Sequence, residues 1–316
     1  LEHEQYSHIP VLLAETLEIL NPKLDGLYFD TTFGRGGHAK AMLARLGPEG
    51  RLIVLDRDPE AIAQAHTRYR SEKRITVVHS GFANLDAVAR QLDVVPGEVD
   101  GFLFDLGVSS PQIDDSDRGF SFMHDGPLDM RMDSSQGMTA AQWLNEVTEE
   151  ELMEVIATLG EERFARRVAR AILGQRPLHS TAHLARTIEE AIPRRNQVRG
   201  HHPATRSFQA IRMHINDELG QLQTALPQAF ELLREGGRMA VISFHSLEDR
   251  IVKGFVYEKA RKDSFPLDFP VTHAQQQQPA RAVGGLKRPG AEELELNPRA
   301  RSARLRGLEK LVHSDA

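Results

Sequence analysis

The chain has 316 residues, 40% hydrophobic and 27% charged, with 39 Lys+Arg against 45 Asp+Glu for a formal charge of −6. These are ordinary globular proportions, and they exclude wholesale disorder, a collagen-like fibre and a coiled-coil rod. The absence of cysteine excludes disulfides, thiolate-zinc modules, iron–sulfur clusters and cysteine nucleophiles, so any catalysis must use oxygen, nitrogen or a borrowed cofactor.

A soft prior of about 150 residues per domain predicts two units. No apolar run approaches the ~18 residues that a membrane span needs, and no basic-then-apolar leader opens the sequence. A cytoplasmic protein without membrane contact is expected.

Apolar strands alternate with amphipathic helices over the first 110 residues, the pattern of parallel βαβ units. Pro10 opens a helix through Val11 to Leu20, and Gly26 to Asp30 reads as strand one, running into a glycine-rich turn. Arg51 to Leu55 is strand two, ending at Asp56, with Pro59 and Glu60 opening a helix to Arg70. Ile75 to His79 and Asp100 to Asp105 are strands three and four. The alternation then stops and resumes at Asp217, where a helix to Glu235 ends at Gly236-Gly237 before strand five, Arg238 to Ser243. From Thr139 to Arg212 the spacing of Trp143, Leu144, Val147, Leu152, Val155, Ile156 and Leu159 is helical. Pro266 to Asn297, with its Gln275–Gln278 tract, reads as a surface coil. The predicted fold is therefore one open α/β sheet interrupted by an all-helical insertion. Residues 1–112 and 216–316 form the discontinuous sheet domain, and residues 113–215 form the insert.

The first strand leads into Thr31-Thr32-Phe33-Gly34-Arg35-Gly36-Gly37-His38-Ala39. Glycines at such a bend let the backbone approach a ligand, and the following helix N-terminus offers free N–H donors, which points to a nucleotide-type ligand at Gly34, Gly36 and Gly37. Asp56 ends strand two, 22 residues beyond Gly34, where an acid accepts ribose hydroxyls. Gly34-x-Gly36-x-x-Ala39 also matches the dinucleotide fingerprint, so NAD is an alternative. Charge separates the two ligands. A pyrophosphate avoids acids, whereas the sulfonium and ammonium of S-adenosylmethionine attract them, and Asp30 and Asp105 end strands one and four at the edge where open α/β sheets bind ligands.

Asp105-Leu106-Gly107-Val108-Ser109-Ser110-Pro111-Gln112 is the expected chemical loop. Gly107 to Pro111 approaches a G-x-S-x-G nucleophile elbow but lacks its last glycine, which leaves a hydrolase as an outside reading. Ser243, His245 and Asp249 crowd together in sequence, yet neighbouring residues point in different directions and make no triad by proximity. No Gly-Lys pair supplies a Walker A motif. His179 and His183 lack the glutamate of H-E-x-x-H, and His201-His202 lies in a basic loop, so no metal is expected.

The net charge conceals a division. Between Gly160 and Ile215 there are 11 arginines, no lysine and only four glutamates (Glu161, Glu162, Glu189, Glu190), a local balance of 11 − 4 = +7. Residues 111–133 lean acidic, and a second basic run, Arg299, Arg301, Arg304 and Arg306, lies near the C-terminus. The planar guanidinium suits phosphate and base stacking.

Together, Thr32 to His38, Asp56-Arg57-Asp58-Pro59, Asp105 to Gln112, Arg118 to Met123, Gly126 to Asp133 (GPLDMRMD), Pro203 to Arg206, Ser243 to Lys253 (SFHSLEDRIVK) and Asn297 to Ser302 resemble the bacterial 16S rRNA (cytosine-N4)-methyltransferase family, also called MraW. The blocks cover most of the chain in order. The resemblance implies a class I (Rossmann-like) S-adenosylmethionine-dependent methyltransferase fold with an inserted helical domain, and cofactor contacts at Gly36, Gly37, His38, Asp56, Phe82, Asp105 and Gln112. It implies as substrate cytidine 1402 in the decoding region of 16S rRNA, within the small ribosomal subunit.

Methyl transfer from a sulfonium is a direct in-line displacement dominated by positioning. The exocyclic amine needs an acceptor for a proton, and Asp105 is the first candidate, followed by Ser109 and Ser110. Phe120, Phe122 and Phe244 are candidates to receive an unstacked base. Arg194, Arg195, Arg199 and Arg206 are expected to hold RNA phosphates. An NAD-dependent oxidoreductase and a non-catalytic RNA-binding protein are the competing classes, and the sequence leaves the oligomeric state open.

Overall fold

The computed structural model describes residues 10–197, 202–261 and 278–312. The chain divides into two compact units, Leu1–Gly107 with Leu219–Ala316, and Val108–Glu218. The sequence expectation places the boundaries at 112/113 and 215/216.

In chain order the first unit holds α1 (Leu13–Leu20), β1 (Leu27–Asp30), α2 (Gly37–Leu43), β2 (Arg51–Asp56), α3 (Pro59–Arg68), β3 (Ile75–His79), α4 (Leu85–Gln91) and β4 (Val99–Asp105). The second unit holds α5 (Ser110–Asp114), α6 (Ala140–Glu146), α7 (Glu149–Thr158), α8 (Ala165–Gly174), α9 (Thr181–Ala191) and α10 (Thr205–Ile215). Apart from Glu218, the first residue of α11 (Glu218–Leu232), the chain then returns to the first unit with β5 (Leu233–Ser243), α12 (Ser246–Lys259), β6 (Ala280–Lys287), α13 (Ala291–Leu296) and β7 (Arg304–Lys310).

The strands form one sheet in the order β3-β2-β1-β4-β5-β7-β6. The first five are mutually parallel, and β7 runs antiparallel to both β5 and β6. Alternation along the strands sorts their side chains to two faces. Phe29, Ile53, Leu55, Phe102 and Phe104 pack with α4, α11 and α12, while Tyr28, Leu52, Val54 and Leu103 pack with α1, α2 and α3. Phe29 stacks on Phe102 at 5.0 Å between ring centroids. Each fully buried side chain of this size contributes about 1.5–3 kcal/mol, so the two buried faces fix the strand register, since a one-residue slip would invert them.

Local signals set the helix starts. Asp58 caps α3 by accepting from the Glu60 N–H at 2.9 Å, with Pro59 in the first turn. In the second unit Thr139, Thr148 and Ser180 cap α6, α7 and α9. The core there gathers Trp143, Leu144, Leu152, Ile156, Val168, Ile172, Leu184, Ile188, Phe208 and Ile211.

Two expectations need correction. Gly236-Gly237 does not end a helix. It lies inside β5, where the pairing jumps from Val99↔Leu233 to Gly101↔Arg238, and the positive φ of Gly236 (72°) forms the bulge. The surface coil placed at 266–297 is not a coil over its second half, which supplies β6 and α13; residues 262–277 lie outside the described residues. The C-terminal arginines also have structural work. Arg304 and Arg306 of β7 both bind the Asp249 carboxylate of α12, at 2.7 and 2.8 Å, and hold Asp249 below the usual carboxylate range despite its burial. Among the described residues no helix is long and apolar enough to cross a membrane.

Candidate active site

The strand order reverses direction between β1 and β4: the chain builds outward from β1 through β2 to β3, then returns to place β4 on the other side of β1. In open α/β sheets the crevice at the carboxyl ends of the strands flanking such a point is where ligands bind. Asp30 ends β1, Asp105 ends β4 and Asp56 ends β2, so tertiary structure brings all three acids to this edge.

The glycine turn is held open from beneath. Thr31 donates to the Leu103 carbonyl through its N–H (3.0 Å) and hydroxyl (2.8 Å), and Phe33 N–H donates to the Leu55 carbonyl at 2.8 Å. Gly34 N–H donates to Asp56 Oδ2 at 2.7 Å, while Asp58 N–H donates to Asp56 Oδ1 at 2.8 Å. The carboxylate at the end of β2 is thus fixed against the turn. Gly36 has φ +70°, and a Cβ there would sit 2.5 Å from the Phe33 ring, so only glycine suits the position. Gly37 begins α2.

The electrostatics are unusual for a structural edge. Asp30 is 1% exposed; its Oδ1 accepts from the Thr32 N–H at 3.2 Å, and its Oδ2 is buried with no hydrogen-bond partner, as is Oδ1 of Asp105. Burial pushes Asp30 up to about 7, against the favourable charge of His38 and the Thr32 N–H, with Asp105 and Asp56 adding repulsion. Asp56 is pushed up to about 6, chiefly by burial, against the N–H groups of Asp58 and Gly34. His38 is buried, with Nε2 3.1 Å from the Val11 carbonyl and Nδ1 3.5 Å from Asp105 Oδ2. Burial opposes its charging, but the hydrogen bond and charge of Asp105 and the charge of Asp30 raise its pKa overall. Unsatisfied buried carboxylate oxygens are costly, and a positively charged ligand group removes that cost. The residues present therefore fit S-adenosylmethionine, whose sulfonium and ammonium are cationic, and they would repel a pyrophosphate.

The remaining expected site residues fall as follows. Phe82 is half-buried and meets Phe104 edge-on at 5.8 Å. Ser109, Ser110 and Gln112 lie in the second unit: Ser109 caps α5, its N–H donates to Gln112 Oε1 at 2.9 Å, and Ser110 is the first residue of the helix. Thr32 was not singled out in the sequence, yet its hydroxyl accepts from the Asp105 N–H at 2.6 Å and ties the two strand ends together. A hydroxyl following a strand-end acid was the available signal. Ser243, His245 and Asp249 make no triad, because the Ser243 hydroxyl donates to the Arg304 carbonyl and Asp249 is taken by Arg304 and Arg306, while His245 caps α12.

The sheet order and the acidic edge are those of the class I S-adenosylmethionine-dependent methyltransferase fold, and the profile of the MraW methylase family matches residues 5–311. The chain belongs to the MraW methylase family. The methyltransferase is 51% identical over 311 residues to "Ribosomal RNA small subunit methyltransferase H" of Neisseria meningitidis serogroup C, covering 97% of this chain and 94% of that one. It is also 51% identical over 315 residues to the protein of the same name from Nitrosospira multiformis, with 98% of each chain covered. A solved structure of a putative rRNA-methylase from Clostridium thermocellum superposes with a TM-score of 0.46 at 14% identity, covering 97% of this chain and 100% of that one.

In the second unit of the methyltransferase, Arg194 and Arg195 are exposed on the short helix Arg194–Asn196. Arg206 is exposed in the first turn of α10, and its Nη1 donates to the Glu161 carbonyl at 3.0 Å. Arg199 lies outside the described residues. Arg176 and Arg212 are spent inside the fold: Arg176 donates to the Leu144 and Val147 carbonyls, and Arg212 makes a bidentate pair with Glu218 at 2.7 and 2.8 Å. Phe122 is packed by His202 at 4.5 Å and Phe208 at 4.8 Å, Phe120 faces the Arg118 guanidinium at 5.8 Å, and Phe244 is half-buried against the α1–α3 face of the sheet.

Proposed function

We propose that this methyltransferase methylates the exocyclic N4 of cytidine 1402 in 16S rRNA within the small ribosomal subunit. The observation that carries the cofactor half of the reading is the pair of buried, unpartnered carboxylate oxygens on Asp30 and Asp105 at the reversal of strand order. The names of the relatives support the substrate half. When bound, S-adenosylmethionine supplies an electrophilic methyl group on a sulfonium. Gly34, Gly36 and Gly37 would give it backbone access, Asp56 would accept from its ribose hydroxyls, and Phe82 would offer an apolar wall to its adenine. Gln112 completes the set on the family resemblance. His38 holds one oxygen of Asp105, and Thr32 holds its backbone N–H, which aims the other oxygen.

The chemical demand on the protein is modest. The lone pair of an aromatic amine is delocalised into its ring, so a hydrogen-bond acceptor that takes an amine hydrogen frees the nitrogen to attack and then accepts the proton. Asp105 Oδ1 fills that role, with the Ser109 and Ser110 hydroxyls as the alternative acceptors. Orientation supplies most of the rate. Arg194, Arg195, Arg199 and Arg206 hold the RNA backbone.

The test uses radiolabelled S-adenosylmethionine with small-subunit rRNA, both deproteinised and in the assembled particle, followed by nuclease mapping and mass spectrometry of the labelled nucleoside. N4-methylcytidine at 1402 is expected. Label on a ring carbon, on another nucleotide, or on neither RNA form overturns the reading.

A further inference from the structure

Four arginines of the second unit, Arg163, Arg166, Arg167 and Arg170, follow one another at the i, i+3, i+4, i+7 spacing that places them on one face of α8 and the residue pair before it. All four are exposed, while Ala165, Val168, Ala169 and Ile172 turn inward. The positive end of the helix makes this arrangement unfavourable in isolation, because first-turn positions favour acids. The preceding helix obeys that rule, with Glu149, Glu150 and Glu151 in the first turn of α7, whereas α8 has no acid there and carries Arg166 and Arg167.

The partners of these side chains leave most of the charge uncommitted. Arg163 and Arg167 make no ion pair among the described residues; Arg163 lies over the Phe164 ring at 5.4 Å. Arg166 Nε meets the Met153 thioether at 3.5 Å. Among the described residues only Arg170 of the four is ion-paired, with Glu149 at 2.7 Å. Glu162 is buried and accepts from the Phe164 N–H, and Glu161 is the exposed acid at this end. The stripe continues beyond the helix, because Arg206 donates to the Glu161 carbonyl.

We propose that this face, Arg163, Arg166 and Arg167 with Arg206 beside them, docks the phosphate backbone of the RNA substrate. The assignment rests on the RNA reading given above and moves the main anchoring surface from the short 194–196 helix to α8. Exposed guanidinium groups with no ion pair among the described residues, spread over one helical turn or about 6 Å with Arg206 alongside, match a polyanion. An acidic protein surface is the competing occupant. RNA is favoured because no lysine is used anywhere between Gly160 and Ile215, and planar forks recognise phosphate oxygens two at a time.

The experiment measures affinity of the full chain for deproteinised small-subunit rRNA by filter binding across a salt series, comparing wild type with R163Q/R166Q/R167Q and with the lysine series R163K/R166K/R167K. Glutamine keeps helix propensity near that of arginine. Loss of three single-strand phosphate contacts lowers the slope of log affinity against log salt by about 2 and weakens binding about 50-fold near 0.15 M salt. The lysine series retains most of the slope. Should the triple glutamine variant fail to fold, R163Q and R167Q singly each lower the slope by about 0.7. An unchanged slope in folded glutamine variants, against a steep wild-type slope, overturns the α8 surface and leaves the RNA reading standing. A wild-type chain with no salt-dependent affinity for the rRNA, either deproteinised or, by co-sedimentation, in the assembled small subunit, overturns both.

Discussion

Asp30→Asn separates what this carboxyl does for the fold from what it does for the ligand. The carboxyl is 1% exposed and is pushed from 3.8 up to about 7 in the folded protein. Below pH 3.8 it is protonated in both folded and unfolded chains. Between 3.8 and about 7 the unfolded chain gives up the proton while the folded one keeps it, so stability falls as pH rises, and the loss is complete above the folded value. At 1.36 kcal/mol per unit the full penalty is about 4 kcal/mol, of which roughly 3 accrues between pH 5 and 7. Asparagine keeps the size and an acceptor for the Thr32 N–H, and it does not titrate. The ligand-free variant is therefore expected to gain on wild type by a growing margin from pH 5 to 8, on the order of 6–12 °C in melting temperature at the upper end. Its affinity for S-adenosylmethionine is expected to fall about 10- to 100-fold, the value of a hydrogen bond to a charged group. Thermal unfolding at several pH values, paired with calorimetric titration of the cofactor, gives both numbers. A stability difference that does not change with pH, or cofactor affinity equal to wild type, refutes the assignment of Asp30 as a strained, ligand-facing carboxyl.

Gly36→Ala forces a side chain into φ +70° and into the Phe33 ring; the conformation alone costs about 1–2 kcal/mol, and denaturant unfolding together with a cofactor titration should show lower stability and weaker binding at once. Asp105→Ala should abolish methyl transfer while filter-binding affinity for small-subunit rRNA persists; retained transfer shifts the acceptor role to Ser109 or Ser110. Asn216→Ala removes the acceptor for the Met132 N–H (2.8 Å) and the donor to the Met130 carbonyl (2.7 Å), both buried in the acidic block that reads GPLDMRMD, and should cost about 2–4 kcal/mol in urea unfolding. Glu218→Ala removes the bidentate carboxylate from Arg212, only 15% exposed at its side chain, with an expected loss of roughly 3 kcal/mol by the same measurement.

The sheet was legible because its inner strands β1, β2 and β4 are buried on both faces. Runs such as Arg51 to Leu55 and Asp100 to Asp105 can only be satisfied between two helical layers, and the capping residues Asp58, Thr139 and Ser180 announce their helices locally. What escaped a linear reading depended on partners distant in sequence. Gly236-Gly237 looks like a helix stop until β4 pairs beside it and turns it into a bulge. The second half of the 266–297 segment looks like coil because β6 is an edge strand with most of its side chains exposed, and its hydrogen bonds come from β7 alone.

At the site, the available chemical groups can be read along the chain: a glycine turn, strand-end acids, no cysteine and an arginine-rich insert. Which of them are strained depends on packing. It buries Asp30 beside Asp105 and His38, leaves one oxygen of each carboxyl without a donor, and spends Arg176 and Arg212 on internal contacts while leaving the α8 arginines exposed. Charge and hydrogen-bonding capacity belong to the residue and are written in the chain. Desolvation and the satisfaction of those bonds are properties of the surroundings, which exist only once segments far apart in sequence have packed together.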